Sequence, residues 1–331
     1  MNNKKNVTIA AADIGATHVR SAVFTDGGKG EMQCLVHRKE ALCRDGPDGS
    51  VVTRQVIRMI REVCDDAGIS PDAVGISTAG PLSSGKKSIR MSPNMPYPDI
   101  PLREPLEVAF SCPVFILNDA SAGAYYEYRI GDGYKNEIAC QNLVYLTLST
   151  GIGCGILSDG HLLEGLDGNA GEAGHFCVDT HYNLPCGCGG RGHWEAYASG
   201  SGMPQFYRAW CGEQGRVISA GDTVTAESLC AAARAGDPMV VAFFRDLAVI
   251  NGRGLSTIIA AYAPERIIVG GPVATENPER IVEQAREYID VYLPTPEIRL
   301  STADGMAPLR GAAIFAKESL ANLHIKTVND P

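Results

Sequence analysis

Two stretches of the chain share one pattern: VTIAAADIGATHVRSAVF, from Val7 to Phe24, and LVYLTLSTGIGCGILSDG, from Leu143 to Gly160. Each reads as an apolar strand, a glycine turn carrying a threonine, and a second strand. Each half therefore opens with a hairpin and not with a strand-to-helix turn. Two such halves facing each other suggest two α/β domains with a cleft between them. Its 331 residues, 45% of them hydrophobic, suffice for two packed domains without calling for a third.

The remaining pattern fits that division. Apolar runs at Val7 to Ala12, His18 to Phe24, Ala73 to Ser77, Val114 to Leu117, Leu143 to Leu148 and Ile267 to Val269 predict strands. Val52, Val56, Met59, Ile60, Val63 and Cys64 share one helical face. Val240, Phe243, Phe244, Leu247 and Ile250 mark a longer helix, and another is expected from Asn277 to Ile289. Such alternation belongs to an α/β protein.

A formal net charge of -9 disfavours non-specific nucleic-acid binding, which needs a basic surface, so no nucleic-acid partner is expected. Any bound phosphate must then rely largely on backbone amides. The N-terminal lysines precede an apolar run that Asp13 interrupts, too short for a signal peptide or for a membrane span of roughly 20 residues. A cytoplasmic protein without a membrane partner is expected. The 11 cysteines, odd in number and scattered singly apart from Cys186 and Cys188, read as reduced thiols and not as a disulfide framework.

Two phosphate motifs almost match and fail. GPLSSGKK, Gly80 to Lys87, has P-loop spacing, but Lys87 stands where the magnesium-binding Ser or Thr belongs, and proline-rich SPNMPYP follows in place of a helix. GIGCG, Gly151 to Gly155, begins like a dinucleotide fingerprint, but its spacing is wrong and the chain continues as a strand. What remains is a hairpin phosphate loop, whose turn points N–H groups at an anion. In DIGAT, Asp13 would face a magnesium ion or its waters, Gly15 would let the backbone approach, and Thr17 would donate its hydroxyl. In STGIG, Thr150 and Gly151 would do the same from the other half. Either turn alone is equally an ordinary glycine hairpin. One in each half favours a nucleotide in the cleft.

Two further stretches carry chemistry. LNDAS puts Asp119 directly after an apolar strand, where a carboxylate serves equally as a helix N-cap or as a general base. CGCGGRGHWE, Cys186 to Glu195, gathers two thiols, an imidazole and a carboxylate, which could hold a metal, cradle a phosphate or line a pocket. A zinc deaminase is excluded, because its signature pieces occur here in reverse order and at the wrong spacing.

Taken in order, AADIGATHVRSAVF, ISTAGPL with SPNMP, ILNDASAGAYYE, LSTGIGCGILSDGHLLEGLDGNAGEAGHF, CGCGGRGHWEAYASG and ERIIVGGPVA resemble the ROK family of sugar kinases and sugar-responsive repressors over nearly the whole chain. The resemblance implies an actin-like, ribonuclease H-like duplicated two-domain ATPase fold with an interdomain cleft. The expected division is a smaller α/β domain over residues 1–118, joined by a C-terminal helix at about 309–325, and a larger one over 119–308. It implies ATP- and Mg2+-dependent phosphorylation of a hexose at its 6-hydroxyl, with Asp119 as general base. Asn94, Asn118, Asp119, Glu172, His175 and Glu195 would hold the sugar, and Gly270 and Gly271 the adenosine, although a plain strand and turn explains those glycines as well.

His175, Cys186, Cys188 and His193 would supply the nitrogen and sulfur ligands of a closed, structural zinc site, fixing the loop from which His175 and Glu195 reach the sugar. A metal-free loop held by packing is the alternative. The sequence departs from the family pattern at Ala16, Ser149 and Cys154, where glycine is usual, and at His193, where cysteine is usual. GHWEAY is similar to a branch of archaeal broad-specificity hexokinases, and a homodimer is implied. An N-acetylhexosamine, N-acetylglucosamine or N-acetylmannosamine, is the alternative substrate, the difference lying in the room near carbon 2. A non-catalytic, sugar-sensing repressor would need a helix-turn-helix region ahead of the first hairpin, where only six residues precede Val7.

Overall fold

The computed structural model describes residues 7–28, 31–135, 138–219 and 223–329. The chain divides into two compact units. One runs to Ala139 and takes in Leu162–Ala170 and the chain from Met306 onward, and the other comprises Cys140–His161 and Gly171–Gly305.

In the first unit, β1 (Thr8–Ile14) pairs antiparallel with β2 (His18–Gly28) and parallel with β4 (Ala73–Thr78). With β3 (Glu31–Ala41) and β7 (Val114–Asn118) they form a sheet ordered β3-β2-β1-β4-β7. Two small sheets, β5 (Ser88–Arg90) with β6 (Asp99–Pro101) and β8 (Tyr134–Lys135) with β9 (Ile138–Ala139), lie outside it. Successive side chains of a strand point to opposite faces. Ala10, Ala12 and Ile14 of β1 accordingly pack with α1 (Ser50–Ala67), and Ile9 and Ala11 with Leu309, Ala313, Ala316 and Leu320 of the last helix, α10 (Ala307–Asn329). The helical face expected for α1 is the buried one, and Gly68, left-handed at φ 67°, ends the helix.

Between β6 and β7 comes α2 (Arg103–Phe110), and α3 (Asp119–Arg129) follows β7 directly. Two glycines allow α10 its close approach. A Cβ on Gly75 of β4 would lie 2.3 Å from the Ala312 carbonyl oxygen, and one on Gly311 would lie 1.7 Å from that of Ala122 in α3. The Tyr125 hydroxyl and the Arg129 guanidinium of α3 both bond to Glu318 of α10. This packing is why the unit continues to Ala139, past the boundary expected at 118/119, and Leu162–Ala170 is a second piece of chain assigned to the first unit that the expected division gave to the larger one.

In the second unit, β10 (Leu143–Leu148), β11 (Ile152–Ser158), β12 (His161–Leu162), β13 (Arg266–Gly270) and β14 (Glu297–Leu300) are ordered β12-β11-β10-β13-β14. The first sheet is repeated strand for strand: a hairpin whose first strand lies in the middle, followed outward by two parallel strands. The helices are α4 (Glu195–Ala198), α5 (Met203–Glu213), α6 (Ala226–Arg234), α7 (Pro238–Tyr262), α8 (Pro272–Thr275) and α9 (Gln284–Arg286). Asp237 caps α7, accepting the N–H groups of Met239 and Val240, and Phe243, Phe244, Leu247 and Ile250 are buried. The helix expected over 277–289 is shorter, a π-wound turn at Glu279–Glu283 running into α9. No helix among the described residues is long and apolar enough to cross a membrane.

Gly75→Ala should cost roughly 1–3 kcal/mol of stability, since the added methyl meets backbone that cannot step aside. The measurement is a lower urea midpoint at unchanged slope. An unaltered midpoint would mean that α10 shifts freely over the sheet.

Candidate functional site

The first hairpin turn follows β1. The Gly15 N–H closes it on the His18 carbonyl oxygen at 2.9 Å, and a Cβ on Gly15 would sit only 3.3 Å from that oxygen. Thr17 is exposed at the turn. Asp13, the last residue but one of β1, is buried. Its Oδ1 accepts from the Ser77 hydroxyl at 2.8 Å and its Oδ2 from Arg20 at 3.0 Å. The hairpin register sets Asp13 opposite Arg20, and the parallel register sets it beside Ser77. The first neighbour is readable from the sequence once the turn is centred. The second depends on a strand pairing that the sequence does not state.

At the end of β7, Asn118 caps α3 by accepting the Ala120 N–H at 3.0 Å. Asp119 is the first residue of the helix, half-buried, and its Oδ1 also accepts that N–H at 2.8 Å. The cap anticipated for Asp119 is thus shared with its neighbour. Asn94, half-buried, lies in a turn closed by the Met95 N–H on the Ser92 carbonyl oxygen at 3.2 Å.

In the second unit, the turn after β10 is braced from behind. The Ser149 N–H donates to the Gly151 carbonyl oxygen at 2.9 Å. The Gly200 N–H donates to the Ser149 carbonyl oxygen, and the Ser201 hydroxyl to that of Thr150, each at 2.7 Å. The Ile152 N–H donates to Glu195 Oε2 at 2.9 Å. At the end of β13, Gly270 and the following Gly271 leave no space for side chains: a Cβ would lie 2.3 Å from the Tyr145 hydroxyl at the first and 2.2 Å from the Leu148 carbonyl oxygen at the second. Gly271 also has φ 85°, a left-handed conformation that favours glycine.

Glu195 follows Trp194, one of two tryptophans in the chain. Sequence reasoning passed over Trp194, yet it anchors this region. Its ring is buried against α7, where a Cβ on Gly254 would lie 2.4 Å from the indole. Its Nε1–H donates to Asn251 Oδ1 at 2.9 Å, and Asn251 in turn donates to the Ile281 carbonyl oxygen. His193 and Glu195, on either side of this wedge, are held by it. Glu172 has its Oε2 3.7 Å from His175 Nε2. With 45% of its side chain exposed, Glu172 is crowded without being engulfed. That desolvation pushes its carboxyl above the usual range, His175 opposing the shift and Glu195 adding to it.

His175, Cys186, Cys188 and His193 converge, their donor atoms all within 4.8 Å of one another. Cys186 Sγ is 3.7 Å from His175 Nδ1, and Cys188 Sγ is 3.2 Å from His193 Nδ1. Burial pushes the Cys186 thiol up to about 11. The loop closes through glycines: Gly189 and Gly192 have φ 92° and 70°, and a Cβ on Gly190 would lie 2.2 Å from the His193 ring. Four nitrogen and sulfur donors arranged this way can hold a metal ion.

The sequence pattern of the ROK family runs through residues 9–319. The chain belongs to the ROK family. It is 35% identical over 286 residues to the glucokinase of Pyrobaculum calidifontis, which covers 85% of this chain and 84% of that one. The ROK hexokinase of Thermus thermophilus matches with a TM-score of 0.76 at 29% identity, over 96% of this chain and 100% of that one. A ROK family glucokinase from Streptomyces griseus in complex with glucose and AMPPNP gives 0.75 at 28% identity, over 95% and 100%. The duplicated sheets are thus the actin-like two-domain ATPase fold of ROK sugar kinases.

In this ROK chain the environment of Asp13 has a thermodynamic signature. Burial raises its pKa above the ordinary 3.8, outweighing the hydrogen bond from Ser77 and the attraction of Arg20. The folded state then binds the proton more tightly than the unfolded chain does. The carboxyl's contribution to stability is present in full below pH 3.8 and is lost as the pH rises through the elevated value. Asp13→Asn should gain stability over the parent with rising pH, and the gain should vanish in acid. Denaturation midpoints of both proteins from about pH 3 to about pH 8 test this, and a pH-independent difference would remove charge burial as the cause.

Proposed function

We propose that this chain transfers the terminal phosphoryl group of ATP to the 6-hydroxyl of glucose or a related aldohexose. The observation that carries the reading is the near end-to-end match with a ROK glucokinase in complex with glucose and AMPPNP, an ATP whose last two phosphates are bridged by nitrogen. The two hairpin turns, one per unit, support it independently of that match.

Phosphoryl transfer depends mainly on positioning and on charge stabilisation. Asn94, Asn118, Glu172, His175 and Glu195 hold the sugar hydroxyls, the two glutamates through charge-assisted hydrogen bonds. Asp119 takes the proton of the 6-hydroxyl as its oxygen bonds to the γ-phosphorus, while the bond to the departing ADP breaks. The turns at Gly15–Thr17 and Thr150–Gly151 receive the phosphates, and Gly270 and Gly271 the adenosine. Mg2+ bound with ATP would neutralise its β- and γ-phosphates. Asp13, with lone pairs remaining after its bonds from Ser77 and Arg20, suits that ion or its waters.

The Cys/His group suits Zn2+ in a structural role. Bond lengths of 2.0–2.3 Å put tetrahedral donors about 3.3–3.8 Å apart. The separations of 3.7 Å and 3.2 Å already lie close to that spacing. With four protein ligands no position is left for a reacting water, so the ion would fix His175 and the loop leading to Glu195.

ATP consumption with Mg2+ across glucose, mannose, fructose, N-acetylglucosamine and N-acetylmannosamine tests the substrate. Turnover of the plain hexoses is expected. Turnover confined to an N-acetylhexosamine would move the reading to amino sugars, and none on any sugar would overturn it. Asp119→Asn should lower kcat by about 10²–10⁴-fold while glucose binding stays near the parent value. Full turnover in this variant would remove Asp119 as the base. Cys186→Ser should lose zinc by elemental analysis and bind hexose more weakly. A full complement of metal in the variant would exclude the cysteine as a ligand.

A further inference from the structure

GPLSSGKK is not a P-loop, and the kinase reading gives it no task. In the first unit it forms a tight loop, the Lys86 N–H donating to the Ser83 carbonyl oxygen at 2.8 Å and the Ser83 N–H to that of Ser88 at 2.9 Å. The segment Leu162–Ala170, which the expected division assigned to the other domain, docks on it.

The docking is reciprocal. The Leu82 N–H donates to Asn169 Oδ1 at 2.7 Å, and Asn169 Nδ2 donates back to the Leu82 carbonyl oxygen at 2.9 Å. The Gly85 N–H donates to Asp167 Oδ1 at 3.1 Å, and Lys86 pairs with Glu164. The segment is shaped for this by its own closure, the Ala170 N–H donating to the Glu164 carbonyl oxygen at 3.0 Å. Gly168, at φ 82°, makes room for the Lys86 stem, whose Cε would lie 2.8 Å from a Cβ there.

The chain leaves this segment at Ala170, and Glu172 comes two residues later. Two peptide links span at most about 7.6 Å between Cα atoms, so the anchored segment bounds where Glu172 can be. The intervening Gly171 is confined too: at φ 92°, a Cβ would lie 1.9 Å from the Cys154 carbonyl oxygen.

We propose that Asn169, Asp167 and the Lys86–Glu164 pair form a latch and act as positioning residues, placing Glu172 and His175 for the sugar. The inference rests on the hexokinase reading. Asparagine is the required side chain at 169, because the site needs one acceptor and one donor on the same planar group. Aspartate keeps the shape and loses the donor.

The test measures hexose KM, ATP KM and kcat for Asn169→Asp, Lys86→Glu, and Lys86→Glu combined with Glu164→Lys, together with hydrogen exchange over residues 162–176. Asn169→Asp and Lys86→Glu should each raise hexose KM on the order of tenfold with ATP KM and kcat little changed. The charge-swapped double variant should recover most of the loss, and confinement of the change to hexose KM is what a merely structural role would not give. Parent-like hexose KM in both single variants, or kcat and ATP KM worsening in step with it, would overturn the latch. If Asn169→Asp does not fold, the charge swap on the partly exposed pair still decides. Should the parent turn over no hexose, the functional reading fails, and the latch is judged on exchange alone: faster exchange across 162–176 in the variants supports it, and unchanged exchange overturns it.

Discussion

β1 is buried at every position between two helical layers. A strand placed there has no water to solvate a charge or a ligand along its length. Polar chemistry is therefore displaced to where the strands end, and in each unit several of the candidate residues stand at such ends. Asp13 and Gly15 close β1, Asn118 and Asp119 close β7, Thr150 and Gly151 follow β10, and Gly270 and Gly271 close β13. The duplication matters because it supplies this geometry twice, with a glycine-bearing hairpin turn each time.

Much of this was legible in the sequence because it is local. A hairpin turn, a strand-to-helix junction and a ligand-rich loop each involve residues within a few positions of one another, and their periodicity or spacing shows directly. The domain expectation differed from the structure where the answer depended on distant packing. α3 joins the first unit because α10, almost two hundred residues later, lies against it through Gly311 and Glu318. Nothing near residue 119 announces that. β3 was missed for another reason: its residues alternate between partly covered and exposed, and an edge strand of that kind lacks the apolar run that marks a central one. Ser77 beside Asp13, and Trp194 behind Glu195, belong to the same class of long-range partners.

The Cys/His loop illustrates how little of a site its chemically conspicuous residues build. Cys186, Cys188 and His193 stand on a loop with many glycines, which alone would leave them loosely held. Trp194 supplies the missing rigidity. Its indole is wedged on Gly254 and tied through Asn251 to the chain near Ile281, so a long helix fixes a loop that has almost no secondary structure of its own. Where cysteine is usual in the family this chain has the larger His193, and Gly190, where a side chain would strike the imidazole, supplies the room.

The first unit is assembled from three separated pieces of chain, whereas the second lies between them in sequence, interrupted only by the short 162–170 segment. A ribosome makes the chain in one direction, and domains fold as units during synthesis. When Leu300 emerges, β10, β11, β13, β14 and the long helix α7 have all been made. The first sheet still has one face bare, with Ile9, Ala11, Phe24 and Ala73 awaiting Leu309 to Leu320. The half made first is thus completed last, and until α10 arrives it presents to the cell an apolar surface of the kind that chaperones bind.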